Sequence, residues 1–287
     1  MSELGIWLPL ASVIVAPFIG GLLMGLDRKL TARMQGRIGP PLIQPFYDFL
    51  KLCGKEPIVT SKIPLVWAFG YLGMVVTSVV LLAIKQDLLM LVLVLGFGSS
   101  CLALGSLSVK SPYSQLGGNR ELLQILAYEP ILLFVTIAIY LKTGSFLIQG
   151  IFDDTKPLLA YLPLAFIALL IALVIKMRKS PFDISTSEHA HQELVRGVYT
   201  EYSGAFLALI ELTHWYELVL LLSLVALFWA TPLWVGVLIA LFIFLLVLTV
   251  DNVTARLTWS RMLAISLGAG FSLTLINTIG LKLLGGC

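Results

Sequence analysis

Three carboxylates and a histidine are spaced along one long apolar run: Glu201 at its edge, then Glu211, His214 and Glu217 within "LALIELTHWYELVLLLSL". At 1.5 Å of rise per residue, Glu211 falls roughly 15 Å beyond Glu201, and Glu217 roughly 9 Å beyond that. A second run opens "NRELLQILAYEPILL". Steps of four residues put Arg120, Gln124 and Tyr128 on one helix face, with Glu121 and Glu129 close by. Pro130 removes an amide proton and loosens the carbonyl of Leu126, which must then line protein or water. Charges inside a bilayer are costly, so such groups are functional by default. One polar step every turn or two, running inward, suits a path for protons. Carboxylates and freed carbonyls also suit sodium. Glu121 and Glu201, near the run ends, equally suit pairing with a cation of another subunit.

The segment "RKSPFDISTSEHAHQELVRGVYTEYSG" carries Asp183, Glu188, Glu193, His189, His191 and Arg196. The two histidines are two residues apart, unlike the i,i+4 pair of a helical zinc site, and no cysteine is near. Hydrogen bonding or proton relay is the favoured role, and no metal is expected. Cys53, Cys101 and Cys287 lie far apart, so neither an iron–sulfur cluster nor any other cofactor is expected in this chain. The glycines of "LGFGSS" and "GAGFS" lie in apolar runs and form no nucleotide fingerprint. No nucleic-acid partner is expected.

The elements that position these groups follow from composition. The 287 residues are 59% hydrophobic and 12% charged, with a mean hydropathy of +0.98. Soluble domains carry about twice that charge. The expectation is an all-α, polytopic membrane protein forming a single integral-membrane domain over 1–287. Eight runs are long enough to span a bilayer, at about 5–26, 64–84, 88–108, 121–141, 158–177, 203–229, 233–250 and 262–284. Tight connections after spans two and six predict antiparallel hairpins. The first run lacks a basic leader and reads as retained. Of 19 Lys and Arg, 15 fall on the side of the loops after spans one, three, five and seven, at about 27–63, 109–120, 178–202 and 251–261, counting Lys176 at the end of span five. That bias puts these loops in the cytoplasm and both termini outside.

The first of these loops is "LDRKLTARMQGRIGPPLIQPFYDFLKL". Leu42, Ile43, Phe46, Phe49, Leu50 and Cys53 recur at helical spacing, and Pro40, Pro41 and Pro45 suit a helix start. The prediction is a short amphipathic helix at the membrane surface, serving as an interfacial anchor, a docking floor for a soluble partner, or both.

Here the motifs resemble a family. "LDRKLTARMQGRIGP", "QPFYDFLKL" and the following "KE" are similar to the first cytoplasmic loop of the complex I membrane subunit that floors the quinone chamber (subunit 1 of NADH:quinone oxidoreductase). "SPFDISTSEHAHQELVRGVYTEYSG" resembles its third cytoplasmic loop, "SPYSQLGGNRELLQILAYEP" the start of its fourth span, and "ARLTWSRML" its last short loop. The resemblance runs from about Leu10 to Leu267. Within the family, "ISTSEHAHQELV", "RIGPPLIQP" and "ELTHWYE" lean toward the branch in group 4 energy-converting nickel–iron hydrogenases of the Ech type, and away from the quinone branch.

That resemblance implies a non-catalytic subunit of an oxidoreductase complex. It would anchor hydrogenase large and small subunits and a ferredoxin-type iron–sulfur subunit, and couple their electron transfer to an antiporter-like membrane subunit in a prokaryotic plasma membrane. The nickel–iron centre and iron–sulfur clusters would sit in those partners. Carried over, the ion-path candidates are Glu121, Glu129, Glu188, Glu193, Glu201 and Glu211, beside His214 and Glu217 from the residue reading. The docking and coupling candidates are Arg28, Arg37, Asp48, Lys51, Glu56, Arg120, Asp183 and Arg196, with Arg33, His189 and His191 in the same loops. The loop-one cations are expected to pair with the soluble arm or with Asp183 and Glu193. A quinone-site subunit is the alternative. A free-standing ion transporter is a third, and the inverted repeats it would call for are not evident.

Overall fold

The computed structural model describes residues 4–58, 61–153, 157–185 and 196–283, with side chains from Trp7 onward. Glu188, His189, His191 and Glu193 lie outside the described residues. The chain is helical, with no strand among the described residues beyond an isolated bridge between Asp87 and Leu147. The helices are α1 (Leu4–Met34), α2 (Gln44–Cys53), α3 (Ile63–Ala83), α4 (Leu88–Leu107), α5 (Pro112–Thr143), α6 (Ile148–Asp153), α7 (Leu158–Tyr161), α8 (Pro163–Lys176), α9 (Gly204–Leu227), α10 (Leu233–Val253), α11 (Trp259–Ile265) and α12 (Phe271–Leu283). Prolines stand in the first turn of α2, α3, α5 and α8, where no amide partner is lost. Asp87 caps α4 by accepting from the amides of Leu89 and Met90 at 2.8 and 3.1 Å.

Among the described residues, seven helical stretches are long and apolar enough to cross a membrane; α11 and α12 form one of them, joined by a π-helical turn at Ser266–Gly270. The fifth expected span differs. Pro163 pushes Leu162 out of the helical region (φ −123°, ψ 48°), so the run 158–177 breaks into α7 and α8. The 14 residues of α8 reach only about 21 Å. Asn277 of α12 repairs the break: its side-chain oxygen accepts from the amides of Leu164 (2.9 Å) and Ala165 (3.4 Å), and its nitrogen donates to Tyr161 O (3.1 Å). These are groups a broken helix leaves open.

The α3–α4 and α9–α10 pairs pack as the tight connections predict. Helix α9 is central, touching α1, α2, α3 and α10. Close approach of α1 depends on Gly20: a Cβ there would lie 2.7 Å from the Trp215 carbonyl carbon. Helix α2 forms as predicted, but with a different inner face. Pro45, Phe49 and Leu52 turn inward, Phe46 and Phe49 pack on Trp215, and Leu50 and Cys53 are exposed. The reason is that α2 rests on α1 and α9 along its Pro45 side, leaving Leu42, Ile43, Tyr47 and Leu50 on the outer surface.

Candidate functional site

The site lies where α5, α8 and α9 meet the segment that follows α8. That segment begins with a helix cap. Arg178 N donates to Ile175 O and Lys179 N to Val174 O, with Arg178 in the left-handed region (φ 53°). Glycine is the usual residue there, and a side chain costs about 1–2 kcal/mol. The Arg178 side chain explains its presence. Its guanidinium grips Glu121 of α5 in a fork (Nη2–Oε1 2.6 Å, Nε–Oε2 3.2 Å) and reaches His214 Nδ1 (3.3 Å) and Glu217 (3.8 Å) on α9. Burial works against its charge, but Glu121 foremost among its neighbours holds its pKa well above the ordinary arginine range.

The polar face of α5 carries the same segment. Arg120 donates to Ile184 O (3.3 Å), Gln124 to Phe182 O (2.6 Å), and Tyr128 accepts from Lys176 Nζ (3.2 Å). The four-residue stripe is therefore a cradle for the backbone after α8. Gly117 extends it: a Cβ there would lie 2.5 Å from Gly197 C and Val198 N. Gly117→Ala should cost about 1–3 kcal/mol by overpacking and displace the adjoining Tyr199. Thermal unfolding of the detergent-solubilised variant checks this.

Glu217 is the most connected acid. It takes Lys176 Nζ at 2.6 Å, accepts from Tyr71 Oη at 2.7 Å, and lies 3.4 Å from His214 Nδ1. Lys176 also contacts Ser99 Oγ. His214 Nε2 meets Tyr199 Oη at 2.6 Å, and Nδ1 also lies 3.2 Å from Tyr71 Oη. Arginine can only donate, so Nδ1 is an acceptor when it binds Arg178, which leaves the neutral ring's hydrogen on Nε2. Burial keeps the Tyr199 phenol well above its usual pKa, so it faces the imidazole as a neutral hydroxyl.

Two cavities with several charged residues in their linings adjoin this cluster. One, of about 760 Å³, lies between α1, the end of α8, α9 and α10. The other, of about 540 Å³, lies beneath α2. Arg28, Arg196 and Glu211 line both. Arg37, Asp183, His214 and Glu217 face the first, and Asp48, Lys51 and Glu56 the second. Arg33 is exposed at the end of α1. At the mouth of the first cavity Lys179 bridges Asp27 (2.6 Å) and Asp251 (3.2 Å), tying α1 to α10. Burial opposes its charge, yet the two aspartates raise its pKa.

Three expectations change. Among the described residues, Arg28 of loop one pairs with Asp48 at 2.6 Å, within its own loop, and Asp183 pairs with Arg256 of the last loop at 2.5 Å. Helix α1 runs on to Met34, which holds Arg28 beside α2. Asp48 keeps a lowered pKa, since the Arg28 and Gln44 hydrogen bonds outweigh its burial. Glu201 stands in the turn before α9, off the helical ladder, and is not among the residues lining either cavity. Glu129 is not among the residues lining either cavity, and its carboxylate is seated where Gly96 of α4 has no side chain. Lys176, Arg178, Tyr71, Asp27 and Asp251 are site residues that sequence reasoning missed. The available signal was their position, as single charges or hydroxyls at or within the apolar runs.

Comparison with known proteins identifies the family. The NADH dehydrogenase family model matches residues 7–281. A putative NADH-ubiquinone oxidoreductase of Methanocaldococcus jannaschii is 34% identical over 205 residues, covering 69% of this chain and 68% of that protein. The NADH-quinone oxidoreductase H-type subunit of Thermomicrobium roseum is 31% identical (68% and 70% covered), and hydrogenase-4 component C of Escherichia coli 30% (70% and 67%). A chain of the membrane-bound sulfane sulfur reductase, an archaeal respiratory membrane complex, shares the fold with a TM-score of 0.86 at 24% identity, over 96% of this chain and 98% of that one. With its spanning helices, its buried charge cluster and these relatives, this multi-pass membrane protein belongs to the NADH dehydrogenase family, among the membrane subunits of the complex I H type.

Proposed function

We propose that this chain is the membrane subunit of a ferredoxin-linked, energy-converting hydrogenase, and that it couples electron transfer in a soluble arm to ion translocation. In this reading the end of the bundle bearing α2 and both cavities faces the cytoplasm of a prokaryotic cell, the broken α7–α8 run is the eighth crossing, and both termini lie outside. Hydrogenase large and small subunits and a ferredoxin-type subunit stand over α2, and carry the nickel–iron centre and iron–sulfur clusters. An antiporter-like subunit adjoins in the membrane. Glu211 and Glu217 receive the ion from the cavity, Tyr71 and Arg178 orient Glu217, and Glu129 passes it on.

The observation that carries the reading is the buried contact of Glu217 with Lys176, which extends the charged cluster from the cavity wall to Ser99 of α4 and to Tyr128, the residue before Glu129 on α5. A quinone-chamber subunit is the second reading, favoured by the names of several relatives.

Purification with neighbouring subunits should recover nickel and iron–sulfur clusters; recovery of flavin-bearing NADH dehydrogenase subunits, or sensitivity to quinone-site inhibitors, supports the second reading instead. In vesicles, Glu129→Gln or Glu211→Gln should uncouple ion pumping from hydrogen turnover or slow both. Unchanged coupling in both variants removes the ion path.

A further inference from the structure

We infer that Asp251, at the end of α10, is a positioning residue for the buried charge cluster: it holds the two residues after Arg178 so that the Arg178 guanidinium reaches Glu121, His214 and Glu217. Arg178 stands in the left-handed region (φ 53°), which disfavours a side chain, so its backbone must be held there from both directions. On the side-chain side the fork to Glu121 does this. On the chain side the helix cap ends with Lys179 N, which donates to Val174 O at 3.3 Å. The next amide, Ser180 N, has left the helix and donates to Asp251 Oδ1 at 2.8 Å. The other oxygen, Oδ2, takes Lys179 Nζ at 3.2 Å. One carboxylate thus grips two consecutive residues, one by its backbone and one by its side chain.

The end of α10 continues along the same segment: Ser180 Oγ donates to Thr254 O (3.1 Å) and Leu257 N to Pro181 O (2.9 Å). Lys179 is backed in turn by Asp27 of α1 at 2.6 Å. What Arg178 does when so held shows at His214. The Nδ1 atom lies 3.3 Å from Arg178 Nη1, which can only donate, and 3.4 Å from Glu217 Oε2, which only accepts when ionised. With Arg178 in place, Nδ1 carries no hydrogen and the neutral ring keeps it on Nε2. With Arg178 withdrawn, the hydrogen moves to Nδ1 and points at Glu217. Tyr199 Oη, 2.6 Å from Nε2, serves either tautomer, because a hydroxyl both donates and accepts. The tautomer of His214 therefore reports the placement of Arg178.

This rests on the ion-path reading for its purpose, since Arg178 orients Glu217 and Asp251 acts through Arg178, but the test is independent of turnover. In the full chain in lipid nanodiscs, the neutral-imidazole nitrogen NMR signals of His214 are assigned by their loss in His214→Gln. Asp251→Ala removes both contacts and should raise the ratio of Nδ1–H to Nε2–H tautomer about fivefold, as the loss of one hydrogen bond at Nδ1 would. Asp251→Asn keeps an acceptor for Ser180 N but no charge for Lys179, and should give a smaller rise. Asn252→Ala cuts ties from the same helix end to Thr31 and Gln35 of α1, and should leave the ratio unchanged. In Arg178→Met the ratio should already be raised, and adding Asp251→Ala should change it no further. An unchanged ratio in both Asp251 variants, an equal rise in Asn252→Ala, or a further rise on the Arg178→Met background overturns the assignment. Failure of the ion-path reading shows separately, as unchanged coupling in Glu129→Gln and Glu211→Gln with the His214 response intact.

Discussion

Lys176→Met will lower the stability of the chain by about 3–5 kcal/mol, the usual effect of removing one partner from a buried ion pair. The side chains of Lys176 and Glu217 are 1% and 4% exposed, so water cannot replace the lost ammonium. What remains is not an isolated carboxylate. Glu217 keeps the Tyr71 hydroxyl at 2.7 Å and the Arg178 guanidinium at 3.8 Å, which limits the loss to the lower part of that range. Lys176→Met/Glu217→Gln should therefore lose less than Lys176→Met alone, because the uncompensated charge has gone with the lysine. Reversible unfolding in mixed micelles measures both. Equal losses would show that Lys176 matters for packing and not for charge.

This lysine also marks how far sequence reasoning reaches. The apolar runs, the α2 helix and the polar stripe Arg120–Gln124–Tyr128 follow from periodicity, because helical spacing is a local property. What the stripe holds was not visible, since Phe182 and Ile184 lie about 60 residues away and present backbone carbonyls. Lys176, Arg178 and Lys179 read as cytoplasmic flanking charges, and a basic cluster closing an apolar run is what topology alone predicts. Only tertiary packing separates Lys176 and Arg178, drawn inward by Glu217 and Glu121, from cations such as Arg33 that remain at the surface. The same limit applied to the fifth span. Its length and hydropathy were apparent, but the Leu162–Pro163 break is tolerable only because Asn277, more than a hundred residues later, caps it.

Arg178 gives the second large effect, and its backbone allows charge to be separated from strain. Arg178→Ala removes the fork to Glu121 and the contacts with His214 and Glu217, leaving Glu121 buried at 2% exposure without its cation. A loss of about 3–5 kcal/mol is expected. Arg178→Gly removes the same contacts but relieves the left-handed strain at φ 53°, so it should be about 1 kcal/mol more stable than Arg178→Ala. Arg178→Lys keeps the charge but cannot reproduce the two-pronged contact with both Glu121 oxygens, and should recover only part of the loss. The order arginine, lysine, glycine, alanine in unfolding free energy would establish that the residue is held in an unfavourable backbone conformation by its ion pairs. Glycine equal to or above arginine would show that the cap alone sets this position. In that case Arg178 would not be what aligns Glu121, His214 and Glu217, and the ordering of those groups would have to come from the Tyr71 and Tyr199 hydroxyls instead.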